Sequence, residues 1–110
     1  MSKRIIIKGT PASVGSATGK VKKIVFPYDF GDFEKGSILV TEMTSPLFLP
    51  VMRKASAIVT DIGGLLCHAA IVAREFGIPC IVNTKEGTKV LVDGQIIIVD
   101  ATKGEIYETK

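Results

Sequence analysis

The sequence predicts a mixed α/β fold, several short strands with two or three helices, formed by residues 1–110 as one domain. Three observations carry that expectation. Short β-branched runs recur along the chain, among them Ile5–Ile7, Ile38–Val40 and Ile96–Ile98, and each is too short for a helix. Gly, Pro, Asp and Asn separate these runs at close intervals, as turns require. One longer stretch, Cys67–Phe76, consists of helix formers apart from Ile71 and Val72, and it stops at Gly77-Ile78-Pro79. Gly77 suits a left-handed cap, Ile78 the apolar contact after it, and Pro79 forbids continuation.

Taken in order, Lys3–Lys8 reads as a first strand ended by Gly9. Thr10–Thr18, rich in Gly, Ser, Ala and Pro, reads as a loop, and Lys20–Val25 as a second strand. Gly15–Lys20 superficially resembles a phosphate-cradling loop, but it is one residue short of GxxxxGK and is followed by Val21, so a nucleotide loop is rejected. Phe26–Gly36 reads as a connection and Ser37–Thr41 as a strand buried on both faces. Thr44 or Ser45 can cap a helix with Pro46 in its first position. Pro50 then leaves two choices, an irregular first turn or a helix proper from about Pro50 to Lys54.

Ala55–Thr60 finishes a buried strand. Beyond the central helix, Ile81-Val82 is a short strand, Asn83–Thr88 a turn region and Lys89–Val92 another strand. Asp93-Gly94 reads as a hairpin turn into Gln95–Val99, and Lys103-Gly104 as a second turn into Glu105–Tyr107. The last third is therefore expected to be a β meander. No internal repeat or low-complexity tract is present.

Chemistry concentrates between residues 60 and 80. Gly63-Gly64 breaks the strand and leaves backbone open to a ligand. The chain's single histidine, His68, falls in the first turn of the helix. Helix starts expose unpaired N–H groups and partial positive charge, which favour an anion and disfavour an imidazolium. A neutral imidazole is the nucleophilic form, and a phosphoryl group on it would lie against the helix start and the glycine amides. The helix-end effect is worth about 0.3–1 kcal/mol when exposed and up to about 2 when partly buried. That helps hold a phosphate but does not drive its transfer. On general grounds a lone histidine beside a glycine turn is a surface or capping residue.

The wider string decides against that. Gly63-Gly64-x-x-x-His68-Ala69-Ala70-Ile71-Val72-Ala73-Arg74-Glu75-x-Gly77-Ile78-Pro79, with Met43-Thr44-x-Pro46 before it and Asp93-Gly94-Gln95 and Gly104-x-Ile106-Tyr107 after it, resembles the phosphohistidine domain of the phosphoenolpyruvate-utilising enzymes. These are pyruvate phosphate dikinase, phosphoenolpyruvate synthase and the first enzyme of the sugar phosphotransferase system. The resemblance covers most of the chain and implies a swivelling β/β/α domain. It also implies a phosphoryl carrier subunit of such a phosphotransferase, with His68 as nucleophile and carrier in pyruvate/phosphoenolpyruvate phosphoryl transfer. Gly63, Gly64 and Cys67 would support the phosphate, and Thr60 and Thr44 would offer hydroxyl groups from neighbouring strand ends. Arg74 would meet a carboxylate or serve structure. The family usually places Thr or Ser two residues before the histidine; Leu66-Cys67 stands here, so no hydroxyl is available at Leu66 and phosphate binding rests more on backbone amides.

The chain is too short for the ATP-binding and barrel domains of the large relatives. Separate nucleotide-binding and pyruvate- or phosphoenolpyruvate-binding chains are therefore the expected partners. No tightly bound cofactor is expected; Mg²⁺ would come with the phosphoryl donor and be held mainly by partners. Two other readings stay open. One is a non-catalytic regulatory or interaction module that keeps the fold. The other is a thiol enzyme or redox sensor using Cys67, whose pKa a helix start can lower.

Composition sets the remaining bounds. With 46% hydrophobic and 23% charged residues the chain is globular, not disordered. No apolar run reaches the roughly 18–20 residues of a membrane span, and the apolar stretch at 5–7 is too short for a signal peptide. Two cysteines and one histidine fit no zinc spacing. A cytoplasmic, complete small protein with reduced thiols is the expectation. Residues 1–28 hold six Lys or Arg and no acid; Lys20, Lys22 and Lys23 read as solvated strand positions, and no aromatic-rich basic stripe suggests nucleic acid.

Overall fold

In the computed structural model, which describes residues 4–109, eight strands form one continuous hydrogen-bonded order, β1-β8-β7-β3-β4-β5-β6-β2. The strands are β1 (Arg4–Lys8), β2 (Thr10–Ser13), β3 (Ser16–Ile24), β4 (Ile38–Thr41), β5 (Ala57–Thr60), β6 (Cys80–Val82), β7 (Ile96–Asp100) and β8 (Glu105–Glu108). The helices are α1 (Leu49–Lys54), α2 (His68–Phe76) and the single turn α3 (Gly87–Val90). The architecture is the mixed α/β class that the sequence predicts.

The order conceals two sheets. The first half of β3 runs antiparallel to β7, Ser16 opposite Asp100 through Lys20 opposite Ile96. Its second half runs parallel to β4, Val21 opposite Ile38 through Ile24 opposite Thr41. One nine-residue strand thus passes from an antiparallel sheet into a largely parallel one. On the other side β1 and β2, separated only by Gly9, pair with β8 and β6 respectively. The Gly9 N–H donates to the Gly104 carbonyl at 2.9 Å, and a Cβ at Gly9 would stand 2.6 Å from the Val82 carbonyl oxygen. The bend is therefore open only to glycine, and it joins the two sheets a second time.

Period-2 alternation then sorts side chains into two apolar layers. Ile38 and Val40, Ala57 and Val59, and Ile81 join Ile97, Val99 and Ile106 between the sheets. Leu39, Ile58, Cys80 and Val82 point the other way, onto Met52 and Phe48 and onto Ala69, Ala70 and Ala73 of α2. The small alanine face lets α2 lie close on the sheet. The result is a sheet, a second sheet and a helical layer, β/β/α.

Four expectations are corrected. Thr10–Thr18 is not a loop: it forms β2 and the start of β3. Its composition is poor in β-branched residues, but β2 is an edge strand, where Pro11 costs no ladder bond. Lys89–Val92 is not a strand. Residues 87–90 make a helical turn, because Thr84 Oγ1 accepts from the Gly87 N–H and the Asp61 carboxylate from the Thr88 N–H, at 3.2 and 2.9 Å. Asp93-Gly94 is accordingly no hairpin; Asp93 Oδ1 accepts from the Lys23 N–H at 2.6 Å, and the Gly94 N–H donates to the Val21 carbonyl at 2.9 Å. The expected meander reduces to the β7–β8 hairpin with β1 laid beside it. At residues 46–54 the irregular start is observed, a 3-10 turn at Pro46–Phe48 leading into α1.

Candidate functional site

The parallel strands β3, β4 and β5 end level with one another, at Ile24, Thr41 and Thr60. Loops leaving the carboxyl ends of parallel strands are where ligands bind in open α/β sheets, and both halves of the candidate site come from them. The loop after β5 makes a turn at Gly63, whose φ of 130° is poorly tolerated by a residue with a side chain. A Cβ there would also lie 2.8 Å from Cys67 Sγ. The chain closes at Cys67, whose N–H donates to the Gly64 carbonyl at 3.1 Å.

Cys67 is the N-cap of α2, in extended conformation and without a side-chain capping bond. Its carbonyl accepts the first helical hydrogen bond, from the Ile71 N–H at 3.0 Å. The N–H groups of His68, Ala69 and Ala70 therefore precede the helical ladder and point out of the helix start. Gly77 closes α2 at φ 70°, with Ile78 N–H donating to the Ala73 carbonyl at 2.9 Å.

The loop after β4 supplies Thr44. Its Oγ1 lies 2.7 Å from His68 Nδ1, and Thr44 itself is 5% exposed, so the contact is fixed from below while the half-buried imidazole reaches the surface. Thr44, His68, Gly63 and Cys67 line a shared cavity of about 140 Å³ together with Met43, Ile62 and Ala69. Gly64 adjoins it, with open space where a side chain would stand. Thr60 does not reach it: the residue is fully buried, and its hydroxyl donates to the Ile62 carbonyl at 2.8 Å. It thereby braces the start of the glycine loop.

Arg74 braces the other end. One guanidinium nitrogen donates to the Leu65 carbonyl at 2.7 Å and the other to the Ala12 carbonyl of β2 at 2.9 Å. Sequence reasoning left Arg74 between a carboxylate partner and a structural role; its partners are backbone oxygens. Met43, which walls the cavity, belongs to the Met43-Thr44-x-Pro46 string but was assigned no site role, and Ile62, which also walls it, carried no sequence signal of its own. Of the two thiols, Cys80 is buried on β6, and that burial, helped by Cys67 nearby, pushes its pKa up to about 12. Cys67 is partly exposed and unpaired by any disulfide. Among the described residues no cluster of three or more His, Cys, Asp or Glu side chains is placed to hold a metal ion, and no helix is long and apolar enough to cross a membrane.

Comparison with known proteins gives this geometry a context. Residues 33–104 match the family model of the mobile domain of PEP-utilising enzymes. A probable phosphoenolpyruvate synthase of Archaeoglobus fulgidus is 53% identical over 105 residues, which are 96% of this chain and 14% of that protein. The chain thus spans about a seventh of that relative's length. Among solved structures, aconitase X of Thermococcus kodakaraensis superposes over the whole of both chains with a TM-score of 0.75 at 20% identity, a likeness of fold alone. The solution structure of an Enzyme I protein matches 68% of this chain and 31% of its own, with a TM-score of 0.59 at 28% identity.

Proposed function

The chain belongs to the mobile-domain family of PEP-utilising enzymes, and on that premise we propose that it is a phosphoryl carrier, loaded and unloaded at His68 Nε2. The observation that carries the reading is the 2.7 Å contact between Thr44 Oγ1 and His68 Nδ1. With Nδ1 bearing the proton and donating it to Thr44, the lone pair is left on Nε2, which has no hydrogen-bond partner among the described residues. That lone pair attacks the phosphorus of a donor. An N–P bond forms, the bond from phosphorus to the leaving group breaks, and the leaving group departs with its electron pair. The proton stays on Nδ1 throughout. Discharge reverses the sequence onto an acceptor.

The amides at the start of α2 favour the anionic product, while Gly63 and Gly64 keep side chains out of its way. Cys67 lies beside the phosphate as a weak donor. Pyruvate/phosphoenolpyruvate interconversion is the transfer in which such a carrier fits, since the relatives are named for phosphoenolpyruvate synthesis. Nucleotide- and pyruvate- or phosphoenolpyruvate-binding partners, with Mg²⁺ on the donor, would supply the chemistry that this chain lacks.

Intact mass after incubation with phosphoramidate, a small phosphoryl donor that needs no partner, tests the carrier step. One added phosphate, acid-labile and alkali-stable and absent from His68→Ala, is the expected result. An adduct that persists in His68→Ala, or one on Cys67, rejects the reading.

A further inference from the structure

The antiparallel sheet has a core on one side only. Ile97, Val99 and Ile106 point inward, so period-2 alternation turns Ile98 and Tyr107 outward. Register gathers the outward side chains into a row across three strands: Ile5 lies opposite Tyr107, and Tyr107 opposite Ile98. Ile96, two positions back along β7, widens the row. None of the four belongs to either apolar layer of the molecule. Ile5 and Ile96 are 40% and 42% exposed, and Ile98 and Tyr107 are half-buried among their neighbours. A sheet with one wet face normally alternates apolar inside with polar outside. Here Ile5-Ile6-Ile7 and Ile96-Ile97-Ile98-Val99 are apolar on both faces, the pattern of strands that are covered twice. Large apolar side chains exposed singly need no explanation, but a contiguous row of them marks an interaction site.

We propose that this outer face binds a second copy of the chain, sheet against sheet, across a two-fold axis lying along the Ile5–Tyr107–Ile98 row. Charge selects both the occupant and the axis. On one side of the row stand Glu105 and Asp100, directly opposite each other on β8 and β7. On the other side stands Lys20, opposite Ile96. The face is thus acidic at one margin and basic at the other, which makes it its own complement. A two-fold axis parallel to the strands would lay β8 of one copy over β7 of the other and set Glu105 against Asp100. Rotation about the apolar row instead brings the acidic margin of each copy over the Lys20 margin of the other. Ile5, Tyr107 and Ile98 then meet their own counterparts. Lys20 is open to such a contact, since among the described residues its one ion pair is a 3.5 Å contact with exposed Glu34. Strands about 4.8 Å apart make the face roughly 15–20 Å wide, small beside a standard interface of about 800 Å² per partner. The dimer is therefore one that forms and separates, not a permanent one. The helices lie on the far side of the other sheet, so both copies keep His68 open to its partners.

Sedimentation velocity of the chain between about 10 and 300 µM, the range suited to a small interface, tests the proposal. Ile98→Lys places a charge in the centre of the row, and Val14→Lys places the same charge on a valine that is 75% exposed after β2, outside the face. The expected result is a wild-type sedimentation coefficient that rises with concentration towards that of a dimer. Val14→Lys should superimpose on it, while Ile98→Lys associates at least about tenfold more weakly, the scale of losing a central anchor. Lys20→Asp should also weaken association, and added salt should weaken that of the wild type. A wild-type chain that stays monomeric throughout overturns the proposal and leaves the face to a different polypeptide. An Ile98→Lys chain that associates like the wild type overturns it too, by placing the dimer contact elsewhere, and an unaffected Lys20→Asp overturns the axis. Should Ile98→Lys melt below the wild type, Ile96→Lys at the exposed margin of the row gives the same reading.

Discussion

At the residue scale, the 2.7 Å contact between Thr44 Oγ1 and His68 Nδ1 is the feature on which the proposed carrier chemistry turns. Thr44→Val removes the oxygen and leaves Nδ1 without its partner. A hydrogen bond of this kind is worth about 0.5–1.5 kcal/mol, so loading from phosphoramidate should slow by about threefold to tenfold with the fold intact. Unchanged kinetics would remove Thr44 from the mechanism. Gly63 is a second such position. Its φ of 130° and the 2.8 Å approach to Cys67 Sγ should make Gly63→Ala cost about 1–3 kcal/mol in urea unfolding. Cys80 gives a pH signature. Its thiol is pushed from 9.0 up to about 12 by burial first, then by Cys67, with Arg74 opposing. The folded state thus holds a proton that the unfolded chain loses earlier. The stabilisation is complete below about pH 9 and is lost as pH rises towards 12. The stability-pH slope of wild type in that window should therefore be steeper than that of Cys80→Ala. The turn at Gly63 and the helix start at His68 were legible from residue types and spacing, whereas Thr44 was singled out only through the family resemblance, and the structure brings it beside His68. The sequence could not separate Thr60 from Thr44: Thr60 ends β5 fully buried with its hydroxyl on the Ile62 carbonyl, whereas Thr44 lies in the loop after β4 with its hydroxyl against His68.

Among the elements, α2 and the loop before it act as one piece because Arg74 ties Leu65 to β2. Arg74→Met keeps most of the apolar stem and drops both bonds. Its expected effect is a local one, with shifted amide resonances at Leu66, Cys67 and His68 and a slower loading rate well below the melting temperature. A lowered melting temperature with unchanged loading would reduce Arg74 to a structural tie. The helix ends were readable because Gly77 and Pro79 act through their own backbone chemistry. The β4 and β5 cores were readable from consecutive apolar residues. Elements that depend on distant partners were not. Residues 10–13 become a strand because β6 is there to pair with, and residues 87–90 become a helical turn because Asp61, 26 positions before Gly87, caps them. Local propensity carries neither fact.

For the molecule as a whole, closure depends on Gly9, where β1 hands over to β2 between two sheets. Gly9→Val would press a branched side chain onto the Val82 carbonyl and the Ile81 side chain. Loss of cooperative thermal unfolding, or destabilisation by about 4 kcal/mol or more, is the expected outcome for a clash of that severity; a wild-type melting curve would show that the corner has slack. The ion pair between Arg4 and Glu108 at the other end of β1 joins an arginine that is 75% exposed to a glutamate at 25%, and such pairs contribute little. Its position has a different importance. Arg4 and Glu108 are partners across β1 and β8, so the two ends of the described fold sit about 5 Å apart at the Cα atoms. A body whose entry and exit share one spot behaves like a pendant: spliced into a host polypeptide, it would leave the host's path almost unbroken and swing from two adjacent threads as a single rigid bob.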